Sequence, residues 1–175
     1  MGFVSIALGA PAARLPRFVS SHFSGQTMSD NASVTITRQS GYQFLVDFGA
    51  AIPSLLADEP APLGQGAGPA PDHLLLAAVA NCLSASLLFS LQKFKQDPGT
   101  LVATATPEMG RNENKRLRIV GIHVKLELGQ AAASIEHLDR VLAQFEEFCT
   151  VSMSVRQGIP IHVQVQDGTG AILKD

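Results

Sequence analysis

The stretch PDHLLLAAVANCLSASLLF, residues 71–89, decides how the rest of the chain is read. From Leu74 to Leu91 it carries no charge, yet an Asp stands at its mouth and a Cys in its middle. A membrane span, a core helix, and a helix that keeps a reactive thiol dry would each suit it. Eighteen uncharged residues reach the lower limit for a span, and Lys93 and Lys95 could flank one. Asn81, three serines and many alanines argue against a span, as does the soluble-sheet pattern on both sides. The spacing predicts a helix from about Asp72 to Gln96, roughly 36 Å long, stopped by Pro98-Gly99. A helix apolar on all sides must be surrounded by protein. One small sheet covers one face, so a second copy of the chain is expected to cover the other.

Upstream, Val34 and Ile36 alternate, then a Ser40-Gly41 turn, then Tyr42, Phe44, Val46 and Phe48, which predicts a β-hairpin. Residues 49–71 hold five prolines and four glycines and read as a loop. Downstream, Leu101 to Pro107 and Arg116 to Leu128 read as strands joined by the turn GRNENK. The apolar set changes parity after Val120-Gly121, so a β-bulge is expected at Gly121. Ser134 is a plausible N-cap for a helix with Ile135, Leu138, Leu142, Phe145 and Phe148 on one face. A turn at Arg156-Gln157-Gly158 leads into a last strand, Ile159 to Val165. Hairpin, long helix, two strands, helix, strand is an α+β order, with the strands after the central helix expected to be antiparallel. A single domain is expected over residues 30–175. Residues 1–29, with Arg14 and Arg17 but no acidic side chain, form an extension read as a disordered segment, an organellar targeting segment, or a start placed upstream of Met28.

Net charge is -2, and the 13 Lys and Arg are scattered apart from Lys93/Lys95 and Lys115/Arg116/Arg118, which leaves no broad basic face for nucleic acid. Two cysteines, Cys82 and Cys149, lie 67 residues apart with no CxxC, too few for a disulfide scaffold and wrongly spaced for a zinc ribbon. They are inert core thiols or a redox pair. Cys149 sits in FCTVSMSVRQG, where Thr150 and Ser152 could cap a short helix and bring backbone N–H groups near the sulfur, which lowers thiol pKa. His73, His123 and His162 have no ligand spacing with the cysteines, so no metal or bound cofactor is expected. A Cys-His-Asp hydrolase would need its nucleophile inside a helix, with no turn to expose it.

The run Pro71-Asp72-x-x-Leu75-Leu76-Ala77-Ala78-x-x-x-Cys82, followed by Cys149-Thr150-Val151-Ser152, resembles the OsmC/Ohr superfamily over about residues 33–165. The resemblance implies an intertwined homodimer that reduces organic hydroperoxides, with sites at the subunit interface. Cys82 would be the peroxidatic thiolate and Cys149 the resolving thiol, with an external dithiol of lipoyl type, carried on a protein, as reductant. Leu83, Leu87 and Phe89 would line a dry pocket. In the family a Glu ten residues before the reactive Cys pairs with an Arg that holds the thiolate; Asp72 stands there here, and Arg38 is the only Arg in the hairpin. Ten helical residues span about 15 Å, so Asp72 would serve the Cys82 of a partner subunit; otherwise it is a simple N-cap. Thr150 replaces the family's Pro. The competing class is a non-catalytic member of the fold that binds an apolar small molecule at the interface. Reduced-type cysteine usage and the lack of a clear signal peptide point to the cytoplasm.

Overall fold

The computed structural model describes residues 32–49 and 51–175. The expectations for residues 1–29 lie outside the described residues. Strands β1 (Thr35–Ser40), β2 (Gln43–Asp47) and β3 (Leu55–Ala57) form one antiparallel sheet. Helix α1 (Pro71–Lys93) follows, then β4 (Leu101–Arg111) and β5 (Leu117–Leu128). Helices α2 (Leu138–Gln144) and α3 (Thr150–Val155) lead to β6 (Ile161–Gln166) and β7 (Ile172–Lys174), and the second sheet has the order β4-β5-β6-β7. The α+β reading stands. The predicted hairpin is β1–β2, with Gly41 at positive φ in its turn.

Helix α1 begins with Pro71, whose missing N–H would have had no intrahelical partner. Its N-cap is Ala70, not Asp72; the imidazole of His73 reaches back, Nδ1 accepting the Ala70 N–H at 3.3 Å. Asp72 therefore lies inside the first turn and not at the N-cap, its carboxylate accepting the His73 N–H. At the far end Lys95 takes a left-handed conformation (φ 57), while the N–H groups of Lys95 and Gln96 return to the carbonyls of Gln92 and Leu91. This Schellman closure ends the helix a few residues before Pro98.

Val79, Leu83, Leu87 and Leu91 recur every four residues and are fully buried. They form the seam of α1 in one core with Ile122, Val124 and Leu126 of β5 and Val163 and Val165 of β6. Among the described residues α1 is the one helix long and apolar enough to cross a membrane, and this seam makes it a layer of the folded domain. The opposite face is bare in the protomer: Ala77, Ala78, Asn81, Ala85 and Phe89 are exposed. The chain's own sheet thus covers one side of the helix, as expected, and leaves the other exposed in the protomer.

The bulge falls where the parity change placed it. Glu108 pairs with Gly121 and Met109 with Ile119, leaving Val120 as the extra residue. Downstream of it Ile122, Val124, Leu126 and Leu128 face the core.

Four features differ from the sequence expectation. A short strand, β3, lies within the Pro/Gly-rich loop, held there by Asp58 just after it. The Asp58 Oδ2 accepts the N–H groups of Gln65 and Ala67 at 3.0 and 3.1 Å, folding the loop back on the strand. The Ala67 N–H leads in holding this carboxyl below the usual carboxylate range, against burial. A Cβ on Gly68 would lie 1.9 Å from the Leu56 carbonyl, so the return path needs glycine.

The second expected helix is divided. Ser134 ends a 3-10 turn, Ala132–Ser134, with its hydroxyl on the Ala131 carbonyl, and does not cap α2. His137, left-handed at φ 58, precedes α2, and a further 3-10 turn, Phe145–Phe148, separates α2 from α3. Third, β6 runs parallel to β5, His162 beside His123 in register, where antiparallel strands were expected. The connecting segment, residues 129–160, is long enough to carry the chain back to the starting end of the sheet. Fourth, a short β7 closes the sheet edge, its turn held by Asp167 through Thr169 and Ala171.

Candidate thiol site

Cys82 and Cys149, 67 residues apart in sequence, meet between α1 and the start of α3. Cys82 is half-buried on α1; Cys149 is fully buried and is the N-cap of α3. Its sulfur accepts the Ser152 N–H at 3.4 Å, and its own N–H donates to the Glu146 carbonyl at 3.0 Å. The short helix expected after Cys149 is present, but its cap is the cysteine itself.

The surroundings of Cys82 pull its thiol in two directions. Burial pushes it above the ordinary thiol value, and the Cys149 side chain pushes it further, by hydrogen bonding and as a like charge. The backbone N–H groups of Val151 and Ser152 act the other way, favouring thiolate. The Ser152 N–H faces both sulfurs, so what one thiol takes the other loses. Two reduced sulfurs that share the Ser152 N–H at one helix start can join on two-electron oxidation.

The other two expected site residues are not brought to this pair within the protomer. Arg38 is exposed on β1, its Nε donating to the Gly41 carbonyl across the hairpin turn at 2.9 Å. Asp72 lies at the start of α1, its Oδ1 accepting the His73 N–H at 2.8 Å. Leu83 and Leu87 face the sheet within the buried seam, so neither lines a pocket beside Cys82. Phe89 is exposed and stacks edge-on with Phe148, ring centroids 5.7 Å apart, one residue before Cys149. Lys93 Nζ lies 4.5 Å from the Phe89 ring and 4.0 Å from that of Phe148. The i, i+4 spacing of Phe89 and Lys93 was a readable signal for the first contact; nothing local announces Phe148. Among the described residues no three His, Cys, Asp or Glu side chains gather as a metal set.

Fold and site together define an α+β protein with a thiol pair lodged between its central helix and the cap of a short one. The chain belongs to the OsmC-like protein family, which matches residues 64–164, more than half of its length and inclusive of both cysteines. No curated protein matches the sequence. Among solved structures, the OsmC like protein from Mycoplasma pneumoniae is similar over 80% of this chain and 99% of its own, at 14% identity and TM-score 0.65. An organic hydroperoxide resistance protein from Elizabethkingia anophelis covers 80% of this chain and 99% of its own, at 18% identity and TM-score 0.62. The organic hydroperoxide resistance protein OhrB of Bacillus subtilis covers 77% and 98%, at 15% identity and TM-score 0.58. At these identities the likeness is one of fold.

Proposed function

We propose that this protein is a thiol peroxidase that reduces organic hydroperoxides. The observation that carries the reading is the meeting of Cys82 and Cys149 around one shared donor, the Ser152 N–H. The Cys82 thiolate attacks the distal peroxide oxygen; the S–O bond forms as the O–O bond breaks, and the alkoxide leaves and takes a proton as alcohol. Cys149 then attacks the sulfenic sulfur, forming the disulfide and releasing water. A dithiol, of the lipoyl type by family resemblance, returns both thiols. Solved relatives named as organic hydroperoxide resistance proteins support the substrate class. A pair that must return to thiols fits a reducing compartment, the cytoplasm.

The raised Cys82 thiol needs a cation, and among the described residues none is a leading influence on it. The reading therefore includes a homodimer. The bare face of α1 and the exposed Val34, Ile36 and Tyr42 of the hairpin supply apolar surface for a second copy. In that assembly Arg38 and Asp72 of one chain serve the Cys82 of the other. A solution mass of a single chain at working concentration counts against this arrangement.

A second reading is a non-catalytic member that holds an apolar small molecule at the interface. It is favoured by the fact that the leading influences on Cys82 raise its pKa and none of them is a cation. The deciding experiment adds one equivalent of an alkyl hydroperoxide to the reduced protein and follows intact mass and free thiols. Loss of both thiols with a mass decrease of about two units supports the peroxidase; two persistent thiols with bound alkyl compound support the binding protein.

A further inference from the structure

The segment that carries Cys149 is too short to hold itself in place. Helix α3 has six residues, below the length at which a helix is stable alone. Its placement comes from anchors, and those anchors converge on Glu146. The Glu146 carbonyl accepts the Cys149 N–H. Its carboxylate accepts from Nη2 of Arg156, the C-cap of α3, and pairs with Lys174 Nζ of β7 at 3.2 Å. Arg156 Nη2 also donates to the Ile161 carbonyl at the start of β6 at 3.4 Å, while its Nε is buried without a partner. One side chain thus closes the segment 146–156 into a ring around Cys149 and ties that ring to the second sheet. The Glu146 side chain is only 17% exposed, so solvent screens the pair less than it would a surface one.

We infer that Glu146, through Arg156, is a positioning residue for the resolving thiol: it sets the approach of Cys149 to an oxidised Cys82 and leaves the attack on peroxide untouched. The inference rests on the peroxidase reading. It adds that the second step, in which the S–S bond forms as the sulfenic S–O bond breaks and water leaves, has its own control element. A loosened ring displaces Cys149 from the line of attack, and misplacement by about 1 Å slows such a step on the order of 100-fold.

The test follows both steps after rapid mixing of reduced protein with an alkyl hydroperoxide, quenched and weighed intact. Glu146→Gln is expected to lose the Cys82 thiol at the wild-type rate but to form the disulfide about 10- to 100-fold more slowly, with the sulfenic acid trapped by dimedone in the interval. Arg156→Lys, which keeps the charge and loses the planar fork, is expected to slow the same step by less, and carries the test if Glu146→Gln does not fold. Disulfide formation at the wild-type rate in either variant overturns the inference, as does equal slowing of both steps, the mark of general loosening. A wild-type protein that keeps both thiols overturns the peroxidase reading, and the inference with it.

Discussion

Phe145→Ala tests whether the Cys149 segment is built on the core or merely laid over it. Phe145 is the largest of the fully buried side chains and opens the 3-10 turn that ends just before Cys149. Removing its ring takes apolar surface out of the core, at about 2 kcal/mol for transfer. The hole left is about 100 Å³, which at about 24 cal/mol per Å³ adds about 2 kcal/mol more. The expected loss is therefore about 4 kcal/mol, a large part of a domain's typical stability of about 5–15 kcal/mol. At roughly 4 °C per kcal/mol, the midpoint should fall by about 15 °C. Phe145→Leu keeps most of the volume and should lose only about 1–1.5 kcal/mol. Urea unfolding of the reduced protein, with the wild type alongside, measures both. A loss under about 1 kcal/mol for Phe145→Ala, the size of a surface change, would refute the packing argument and detach the thiol segment from the core.

Two further outcomes follow from the charges. Cys149→Ala removes a side chain that pushes the Cys82 thiol up and frees the Ser152 N–H for it, leaving burial as the main opposing influence. Alkylation of Cys82, followed by mass against pH, should then reach half its maximal rate at lower pH than in the wild type; an unchanged or higher midpoint would contradict the shared-donor account. Asp167 accepts from the Thr169 hydroxyl at 2.7 Å and from the Ala132 N–H at 2.9 Å, contacts that lower its pKa from 3.8 to about 2. A carboxyl depressed in the folded state contributes stability that is present above its unfolded pKa and is lost as pH falls toward the folded one. Asp167→Asn should thus be less stable than wild type at neutral pH, with the gap narrowing between 3.8 and about 2; a gap of constant size in urea titrations across that window would refute the assignment.

The parts of the fold legible in the sequence are those in which one regular pattern runs long enough to declare itself. The apolar run from Leu74, the alternation of β2 and the parity change at Val120-Gly121 each specify an element by its own residues. The missed parts depend on distant partners. β3 has three residues and exists because Asp58 folds the following loop onto it. The apolar spacing from Ile135 to Phe148 fits one helix, but His137 in a left-handed conformation and the 3-10 turn at Phe145 divide it, and only the packing of Val141 and Phe145 shows why the pieces still face the core. Of the site, the two cysteines were readable; the Glu146–Arg156–Lys174 cluster was not, because its members come from three separate elements and no spacing rule joins them. Asp72 and Arg38 illustrate the limit from the other side: their positions in the chain are plain, yet a single protomer gives neither a role beside Cys82.

The parallel pairing of β5 with β6 has a consequence for how the protein comes into being. Residues 129–160 are a crossover, and Cys149 lies within it. Long-range pairing of this kind forms late, because the chain entropy of closing the loop is lost before the contacts form. A newly made chain therefore carries Cys82 before the crossover can lay Cys149 against it. For that interval the protein has a thiol without its counterpart, and an oxidant encountered then meets no second sulfur. Completion of the thiol pair is tied to the last stage of folding, so quenched refolding experiments should find Cys149, fully buried in the folded protein, becoming resistant to alkylation only as β6 docks.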